Sequence, residues 1–517
     1  MTEPASFLVH DPDLPNLRAV VSKLASVGYS ESSIRDRLGL EDISDLQWRA
    51  MPMYRLQRLA SRDSLALAID LFLLQGALSA EELDKLFARS ERDVLVRAGL
   101  LAIDEEGLAR VRSSLFPVGD SLIFSDHAWP ELPHPGYDSV PYDQVMSVGR
   151  DSRNLARCTI RRPFRSALDL CTGSGIHAVL ASAHSEQVLA VDINPRAAHC
   201  THFNAQALGI TNLEVVVGDL FEAMPSTRFD LITANPPFVP SPLDTLGFRD
   251  GGRSGEDIQK RIIVGLPHHL EPGGIAQIVT ELGERDGEPL VHRLREWLNG
   301  AAMDIHILRL GEHNAMQYAI GHAKGNNYQA FLDSTDEWAS NLRAQGYIRV
   351  VSLVISFQWS DAKCGSPWER IDESPPPNRA AGAEIGAAFL AERLTRQLDW
   401  QRTLEHSWLR RAGPIALLDA RVLGSDLPTK VKATLLGQAL RVEHQIDPVE
   451  QEILNHMEGE SILVPDLIAI LRDLDVDSPT VITALRSLLR SQLIRIDDSL
   501  ASLPQSGWAE TVNRAAL

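Results

Sequence analysis

Two apolar runs near the middle of this chain each stop abruptly in turn residues, and few folds accommodate such a pair. Ser166-Ala167-Leu168 leads into Asp169-Leu170-Cys171-Thr172-Gly173-Ser174-Gly175, and Phe229-Asp230-Leu231-Ile232-Thr233-Ala234 leads into Asn235-Pro236-Pro237-Phe238. Both read as buried strands halted by turn chemistry. From Arg165 to about Trp359 similar strands recur at 166–170, 187–192, 213–218, 229–234, 275–281, 303–309 and 349–358, with helices near 175–184, 195–208, 255–270 and 287–299. That alternation predicts an α/β fold with a doubly wound parallel sheet. The last two strands predict an antiparallel edge, and 311–347 reads as a long, less regular gap. In such a sheet ligands sit outside the carboxyl ends of the strands, at the switch point of the strand order. With these two runs as first and fourth strands, one loop would hold a cofactor and the other the group that receives from it.

The chemistry at the strand ends is specific. Gly173 and Gly175 stand where a strand turns into a helix, where bare backbone N–H groups favour an anionic or polar ligand. Val188-Leu189-Ala190-Val191 ends in Asp192, about 20 residues beyond the loop, the position from which an acid accepts hydrogens from ribose hydroxyls. The same acid could instead cap the helix starting at Pro195. Val215-Val216-Val217 ends in Gly218-Asp219-Leu220, where Asp219 could accept an adenine amino hydrogen and Leu220 could pack on the ring. These ends fit a nucleoside cofactor. The loop lacks a third glycine three residues on, so a dinucleotide and an NAD-dependent oxidoreductase are disfavoured. At Asn235-Pro236-Pro237-Phe238 the prolines stiffen the turn, and the Asn235 side-chain carbonyl with a nearby backbone carbonyl can grip both hydrogens of one planar NH₂ group. Phe238 could stack on that group. Such catalysis works by positioning and electrostatics and needs neither His, Cys nor a metal. Ser241 to Asp257, with Gly247, Gly251, Gly252 and Gly255, reads as a mobile lid over the acceptor.

Taken together, Asp-Leu-x-Thr-Gly-Ser-Gly, the acid at the next strand end, Gly-Asp-Leu and Asn-Pro-Pro-Phe resemble the class I S-adenosylmethionine-dependent methyltransferases of the small-methyltransferase type, and among them most of all the HemK-like protein-glutamine N5-methyltransferases. Gly251-Gly252-Arg253-Ser254-Gly255 looks like a loop of that branch, and Leu270-Glu271-Pro272-Gly273-Gly274 is typical of the class. The resemblance covers residues 145–285. It implies a Rossmann-like domain binding S-adenosyl-L-methionine through Asp169, Thr172, Gly173, Gly175, Asp192, Asp219 and Leu220. It implies an acceptor amide held by Asn235 and Pro236 beside Phe238. Two positions depart from the pattern. Cys171 replaces the usual first glycine, a change read as tolerable because cysteine is small. Phe238 replaces the tyrosine usual in glutamine methyltransferases, and phenylalanine is common in relatives that methylate guanine in ribosomal RNA. A base amino group in RNA or DNA (guanine N2 or adenine N6) is therefore the alternative acceptor. A non-catalytic S-adenosylmethionine-binding module is the alternative of another class.

The flanks read as helical units, giving three regions: 1–125, 145–360 and 384–517. In the first, helices, then Leu100–Ile103 and Leu108–Val111 around Asp104-Glu105-Glu106-Gly107, follow the order of a winged helix. Its helix mixes Glu91, Arg92, Asp93 and Arg97, which favours a structural or protein-contact role over nucleic acid. Asp126–Tyr142 and Asp361–Ala383 are proline-bearing connectors. The last region has strands without assigned bounds between Arg410 and Leu440 and ends in a second winged-helix-like unit, with helices at 448–457, 464–474 and 478–490, the third with Ser478 as N-cap, and a hairpin of Leu493–Ile496 with Leu500–Leu503. Between the first connector and the sheet, Arg150, Arg153, Arg157, Arg161, Arg162 and Arg165 face only Asp151. They read either as a solvated helix face or as a patch meeting an acidic or phosphate-bearing partner. A net charge of −19 over 517 residues argues against nucleic-acid binding across the whole surface. Four scattered cysteines predict neither disulfides nor zinc, and hence a reducing cytoplasm. Met1 to Pro15 has no signal-peptide pattern, and no apolar run approaches membrane-spanning length.

Overall fold

A computed structural model of the chain describes residues 14–127, 142–243, 246–361, 364–374, 377–378, 380–397, 399–420, 430–438, 440–457, 459 and 461–497. Its centre is an eight-stranded mixed sheet: β1 (Phe164–Leu170), β2 (Ser185–Asp192), β3 (Leu213–Val217), β4 (Phe229–Ala234), β5 (Leu270–Arg285), β6 (Met303–Asn314), β7 (Tyr347–Trp359) and β8 (Glu369–Glu373). The spatial order is β3-β2-β1-β4-β5-β7-β6-β8. Strands β1 to β5 run parallel, and β7 lies antiparallel between β5 and β6. The expected antiparallel edge is present, with β8 added beyond it, parallel to β6. The order reverses at β1 and β4, where Leu170 is in register with Ala234. The two loops therefore leave the sheet side by side, as the sequence predicts.

The helices on this sheet are α1 (Arg150–Cys158), α2 (Ile176–Ser182), α3 (Pro195–Leu208), α4 (Asp257–His269), α5 (Leu290–Trp297), α6 (Ala315–His322) and α7 (Tyr328–Ala344). Local chemistry sets their ends. Asn194 caps α3 through its side chain, Pro195 opens it, and Gly209 at φ +75° closes it. Helices α6 and α7 fill the stretch expected to be irregular. Asn314 caps the first and Asn327 the second, each accepting from a backbone N–H of the first turn. Their Tyr318, Trp338 and Leu342 are buried against Phe238 and Val239 in one apolar cluster. The pattern is hard to read in sequence because half of each helix remains exposed, including Met316, Ile320, Tyr328 and Leu332.

The flanking regions share cores with the sheet. Leu17, Val20 and Leu24 of the first helix (Leu14–Ser26), with the hairpins Leu101–Ile103/Ala109–Val111 and Ser114–Val118/Ser121–Ser125, bury apolar residues in one cluster with Ile176, Cys200 and Phe203 of α2 and α3. The expected helix, helix, hairpin order occurs at Ala80–Leu86, Arg89–Arg97 and the first hairpin, and the second hairpin is additional. At the other end, Ala381, Ile385 and Phe389 of helix Ala381–Arg396 join Leu155 of α1 to the apolar faces of Pro448–His456, Val464–Arg472 and Ser478–Arg490. The cap of Ser478–Arg490 is Asp477, whose carboxylate accepts from Thr480 N; Ser478 is already the first helical residue. On this helix Arg490 pairs with Glu392 and Arg486 lies over the Trp400 ring, so both cations contact neighbours in this chain. The strands expected between Arg410 and Leu440 are Trp408–Arg411, Ile415–Ala420 and Lys430–Leu435, and Glu443–Ile446 is additional. The expected strand at 500–503 and most of the first connector lie outside the described residues. Among the described residues no helix is long and apolar enough to cross a membrane, and all four cysteines are free thiols.

The arginine stretch is not the exposed patch that sequence allowed. Arg153 is buried, paired with Glu31 at 3.3 Å and donating to Pro117 O. Arg157 pairs with Glu31 and Asp42, and Arg150 with Asp45. Arg161 and Arg162 donate to the carbonyls of Ala156 and Gly273, and Arg165 reaches Asp230. Helix α1 is thus clamped between the sheet and the amino-terminal region. The Arg157 pair and bonds from Ser44 hold the Asp42 carboxyl down at about 2, against the desolvation that would raise it. That contribution to stability is fully present above the ordinary Asp range and is lost as pH falls toward 2. Removing one partner of a buried pair leaves an uncompensated charge. Glu31→Ala should therefore cost about 3 kcal/mol in urea unfolding; a cost well under 1 kcal/mol would show that water can reach the two guanidinium groups.

Candidate active site

The glycine loop is held by its own polar residues. Asp169, 1% exposed at the end of β1, accepts from Thr172 Oγ1 at 2.6 Å and from Thr233 Oγ1 at 2.8 Å. Asp169 and Thr172 are therefore engaged with each other, and their contribution is to shape the loop. Thr201 Oγ1 donates to Gly173 O, Asn204 Nδ2 donates to Ser174 O, and Thr172 N donates to Val191 O. Cys171 sits at φ +54°, so what this position demands is left-handed backbone, not merely a small side chain. Gly175 has φ +81°, and a Cβ there would meet Thr201 Cγ2 at 2.7 Å; a Cβ on Gly173 would meet nothing within 4 Å. The loop is packed beneath Gly175 and open above Gly173.

Asp192 and Asp219 stand at the neighbouring strand ends. Asp192 Oδ2 accepts from Gly173 N and Oδ1 from Asn194 N, both at 2.9 Å. Asn194, not Asp192, caps α3, which leaves the remaining lone pairs of Asp192 for a ligand. Burial pushes the Asp192 carboxyl above its ordinary range against those two bonds. Gly218 N donates to Asp192 O, tying the ends of β2 and β3 together. Leu220 is buried at φ +50°, an uncommon backbone for a non-glycine residue and one that concentrates at ligand sites. Asp219 Oδ2 accepts from Arg261 Nη2 of α4 at 2.9 Å. The open space over Gly173 and the two strand-end acids fit the polar groups of a nucleoside.

Across the switch point, Asn235, Pro236 and Phe238 line a cavity of about 380 Å³ together with Asp151, Arg249, Glu281 and His322. The Asn235 side chain donates from Nδ2 to Ser152 Oγ at 3.1 Å. Glu281 on β5 accepts from Tyr318 Oη at 2.6 Å and from Ser352 Oγ at 3.0 Å. Burial, then the nearby Glu281 charge, push the Asp151 carboxyl up to about 6. His322 is stacked between Tyr318 and Trp338, with centroid separations of 4.3 and 4.8 Å, and burial holds its imidazole below the usual value. Sequence reading missed Ser152, Glu281, Tyr318 and His322, and took Asp151 only as a counter-charge. The available signal was Glu281 itself, a carboxylate in the apolar run Ile278-Val279-Thr280-Glu281-Leu282.

The loop expected to be a mobile lid is fastened down over 249–256. Val239 N donates to Arg249 O and Gly251 N donates to Val239 O, Asn341 Nδ2 donates to Pro240 O and Arg253 O, and Tyr347 Oη donates to Ser254 O. Gly255 is required by contact, since a Cβ there would lie 2.4 Å from Phe238 O. These glycines let the loop brace Asn-Pro-Pro-Phe.

Two measurements check this geometry. Gly175→Ala should cost about 2–4 kcal/mol, from left-handed strain and overpacking against Thr201, while Gly173→Ala should cost only about 1 kcal/mol of strain; equal losses in denaturant unfolding would contradict the packing. Burial raises Asp169 to about 7, against the bonds from Thr172 and Thr233 that lower it. The folded state therefore holds this proton more tightly than the unfolded chain, and the contribution, complete below the ordinary Asp range, is lost as pH rises toward 7. Asp169→Asn should flatten that part of the stability profile between pH 4 and 7, and a slope identical to that of the unaltered protein would place the titration elsewhere.

Comparison with known proteins agrees with this architecture. The methyltransferase small domain family matches residues 147–294, and a domain of unknown function, DUF7059, matches residues 26–113. The chain is 32% identical over 154 residues to a Methanocaldococcus jannaschii protein provisionally named a protein N5-glutamine methyltransferase, covering 28% of this chain and 77% of that one. It is 34% identical over 152 residues to the release factor glutamine methyltransferase of Cereibacter sphaeroides, covering 26% of this chain and 53% of the relative. It is 36% identical over 146 residues to the ribosomal protein uL3 glutamine methyltransferase of Bordetella pertussis, covering 25% and 47%. The chain thus spans about half the length of these last two relatives and most of the first. On that coverage, and with the β3-β2-β1-β4-β5-β7-β6 sheet carrying it, this chain belongs to the methyltransferase small-domain family that includes the protein N5-glutamine methyltransferases.

Proposed function

We propose that this protein transfers a methyl group from S-adenosyl-L-methionine to the side-chain amide nitrogen of a glutamine in a protein substrate, one connected with translation as in the named relatives. The observation that carries the reading is the cavity at the switch point, which brings Asn235 and Pro236 together beside the glycine loop. Gly173, Gly175 and Asp192 would hold the donor's polar groups, with Asp219 and Leu220 at its base. When bound, the donor would supply an electrophilic methyl group on sulfur: as the N–C bond forms, the S–CH₃ bond breaks with its electron pair returning to sulfur as a thioether, and the acceptor nitrogen loses one hydrogen as a proton to solvent.

The protein's own part is to prepare the acceptor. An amide nitrogen is a poor nucleophile because its lone pair is delocalised. The Asn235 carbonyl oxygen and the Pro236 backbone carbonyl accept its two hydrogens, fix its plane and favour electron density on nitrogen as the new bond forms. Phe238, buried at the cavity wall, supplies a flat apolar face. A base amino group in RNA or DNA offers the same planar NH₂, and the phenylalanine at 238 favours that second reading. Against it, most of the arginines that could have met a phosphate backbone are engaged within the chain.

The reading is tested at Asn235. Asn235→Ala should leave donor affinity in calorimetric titration nearly unchanged, while single-turnover transfer falls on the order of 10²–10³-fold. Equal loss of both would move the residue into the donor pocket. With labelled donor and a cell extract, the label should appear as N5-methylglutamine after protein hydrolysis; label confined to nucleic acid would overturn the protein assignment in favour of a base.

A further inference from the structure

A side-chain amide has two ends of nearly equal shape and opposite hydrogen-bonding sense. An acceptor NH₂ presents only hydrogens, so Asn235 serves it with Oδ1 inward and obstructs it with Nδ2 inward. The other groups lining the cavity pull both ways, since the cations of Arg249 and Lys324 favour Oδ1 inward. Asp151 and Glu281 are carboxylates on the same cavity and draw an amide N–H toward themselves. In the structure Nδ2 is engaged by Ser152, whose Oγ lies 3.1 Å from it, which leaves Oδ1 for an acceptor. Ser152 is 5% exposed and stands in the first turn of α1. That helix is fixed by the ion pairs of its next residue, Arg153, and of Arg157 to Glu31 and Asp42 of the amino-terminal region.

We propose that Ser152 is a positioning residue for methyl transfer: its hydroxyl oxygen accepts from Asn235 Nδ2 and thereby turns Asn235 Oδ1 toward the acceptor nitrogen. The assignment rests on the amide-methyltransferase reading of the cavity and extends it to a residue that touches neither donor nor acceptor. It also gives the amino-terminal region a part in catalysis, since that region's carboxylates hold the helix that carries the hydroxyl.

The test is a double-mutant cycle on the full chain, read on whichever acceptor the unaltered protein labels. Ser152→Ala should lower the single-turnover rate about 10-fold, the loss expected for one buried hydrogen bond. Donor affinity should stay as it is, and the melting temperature should fall by no more than about 2 °C, the cost of one hydrogen bond. Ser152→Thr, which keeps the hydroxyl, should recover most of the rate. In the Asn235→Ala background Ser152→Ala should cost nothing more, because there is no amide left to orient. An unchanged rate in Ser152→Ala, or the same 10-fold loss in both backgrounds, would overturn the proposal. The cycle decides even if threonine fits poorly, which a lowered melting temperature would reveal. Failure of the amide-methyltransferase reading would look different: the unaltered protein would bind donor and label no protein amide, whatever stands at position 152.

Discussion

A single buried carboxylate fixes the relation between the two halves of the site. Asp169 is bonded on one side to Thr172 in the glycine loop and on the other to Thr233, two residues before Asn235. The donor side and the acceptor side thus hang from one group between adjacent parallel strands. The backbone ladder sets the register of β1 and β4, and Asp169 adds the side-chain link between their loops. Desolvation makes the arrangement costly, and the raised carboxyl shows that the two hydroxyls do not fully offset it. Retaining an acid in such a place is consistent with a demand for geometry over stability.

Much of this was legible in the sequence because parallel strands buried on both faces are written as continuous apolar runs. The bounds of β4 and α3 were readable almost to the residue, the former from Ala234-Asn235-Pro236 and the latter from Asn194-Pro195 and Gly209. Helices α6 and α7 were not, since their buried faces are short and meet one another, the loop at Phe238–Val239 and the start of β7, leaving no full apolar stripe. The strand-end acids and Asn235 were found because each closes an apolar run. Ser152 and Asp151 were missed for the converse reason: they lie on a polar helix whose neighbours are arginines, and only the fold reveals that this helix faces the cavity. The arginines were misread because sequence shows charge without its partners, and Glu31, Asp42 and Asp45 lie more than 100 positions away.

The flanking regions are joined to the sheet through packing, not merely through connectors. The amino-terminal helices share a cluster with α2 and α3, and the carboxyl-terminal helices share another with α1 and β1. Helix α1 contributes to both arrangements, through ion pairs on one side and Leu155 on the other. Both flanks thus bear on α1, the helix whose Ser152 meets the Asn235 side chain. The glycine-rich segment after Phe238 works similarly, as a brace whose close approach to Phe238 and Pro240 leaves no room for side chains at Gly251 and Gly255.

The insertion of α6 and α7 has an architectural consequence of its own. It leaves the sheet at Asn314 and re-enters by Tyr347, and Asn314 is the register partner of Arg349. Because β6 and β7 are antiparallel, the two ends of the insertion stand next to each other whatever its length or content. His322 and Lys324, which help enclose the acceptor cavity, belong to it; the glycine loop, Asp192 and Asp219 do not. That part of the acceptor wall is thus carried on a cassette with a fixed socket, whose content can differ without moving the strands that present Asn235 and Glu281.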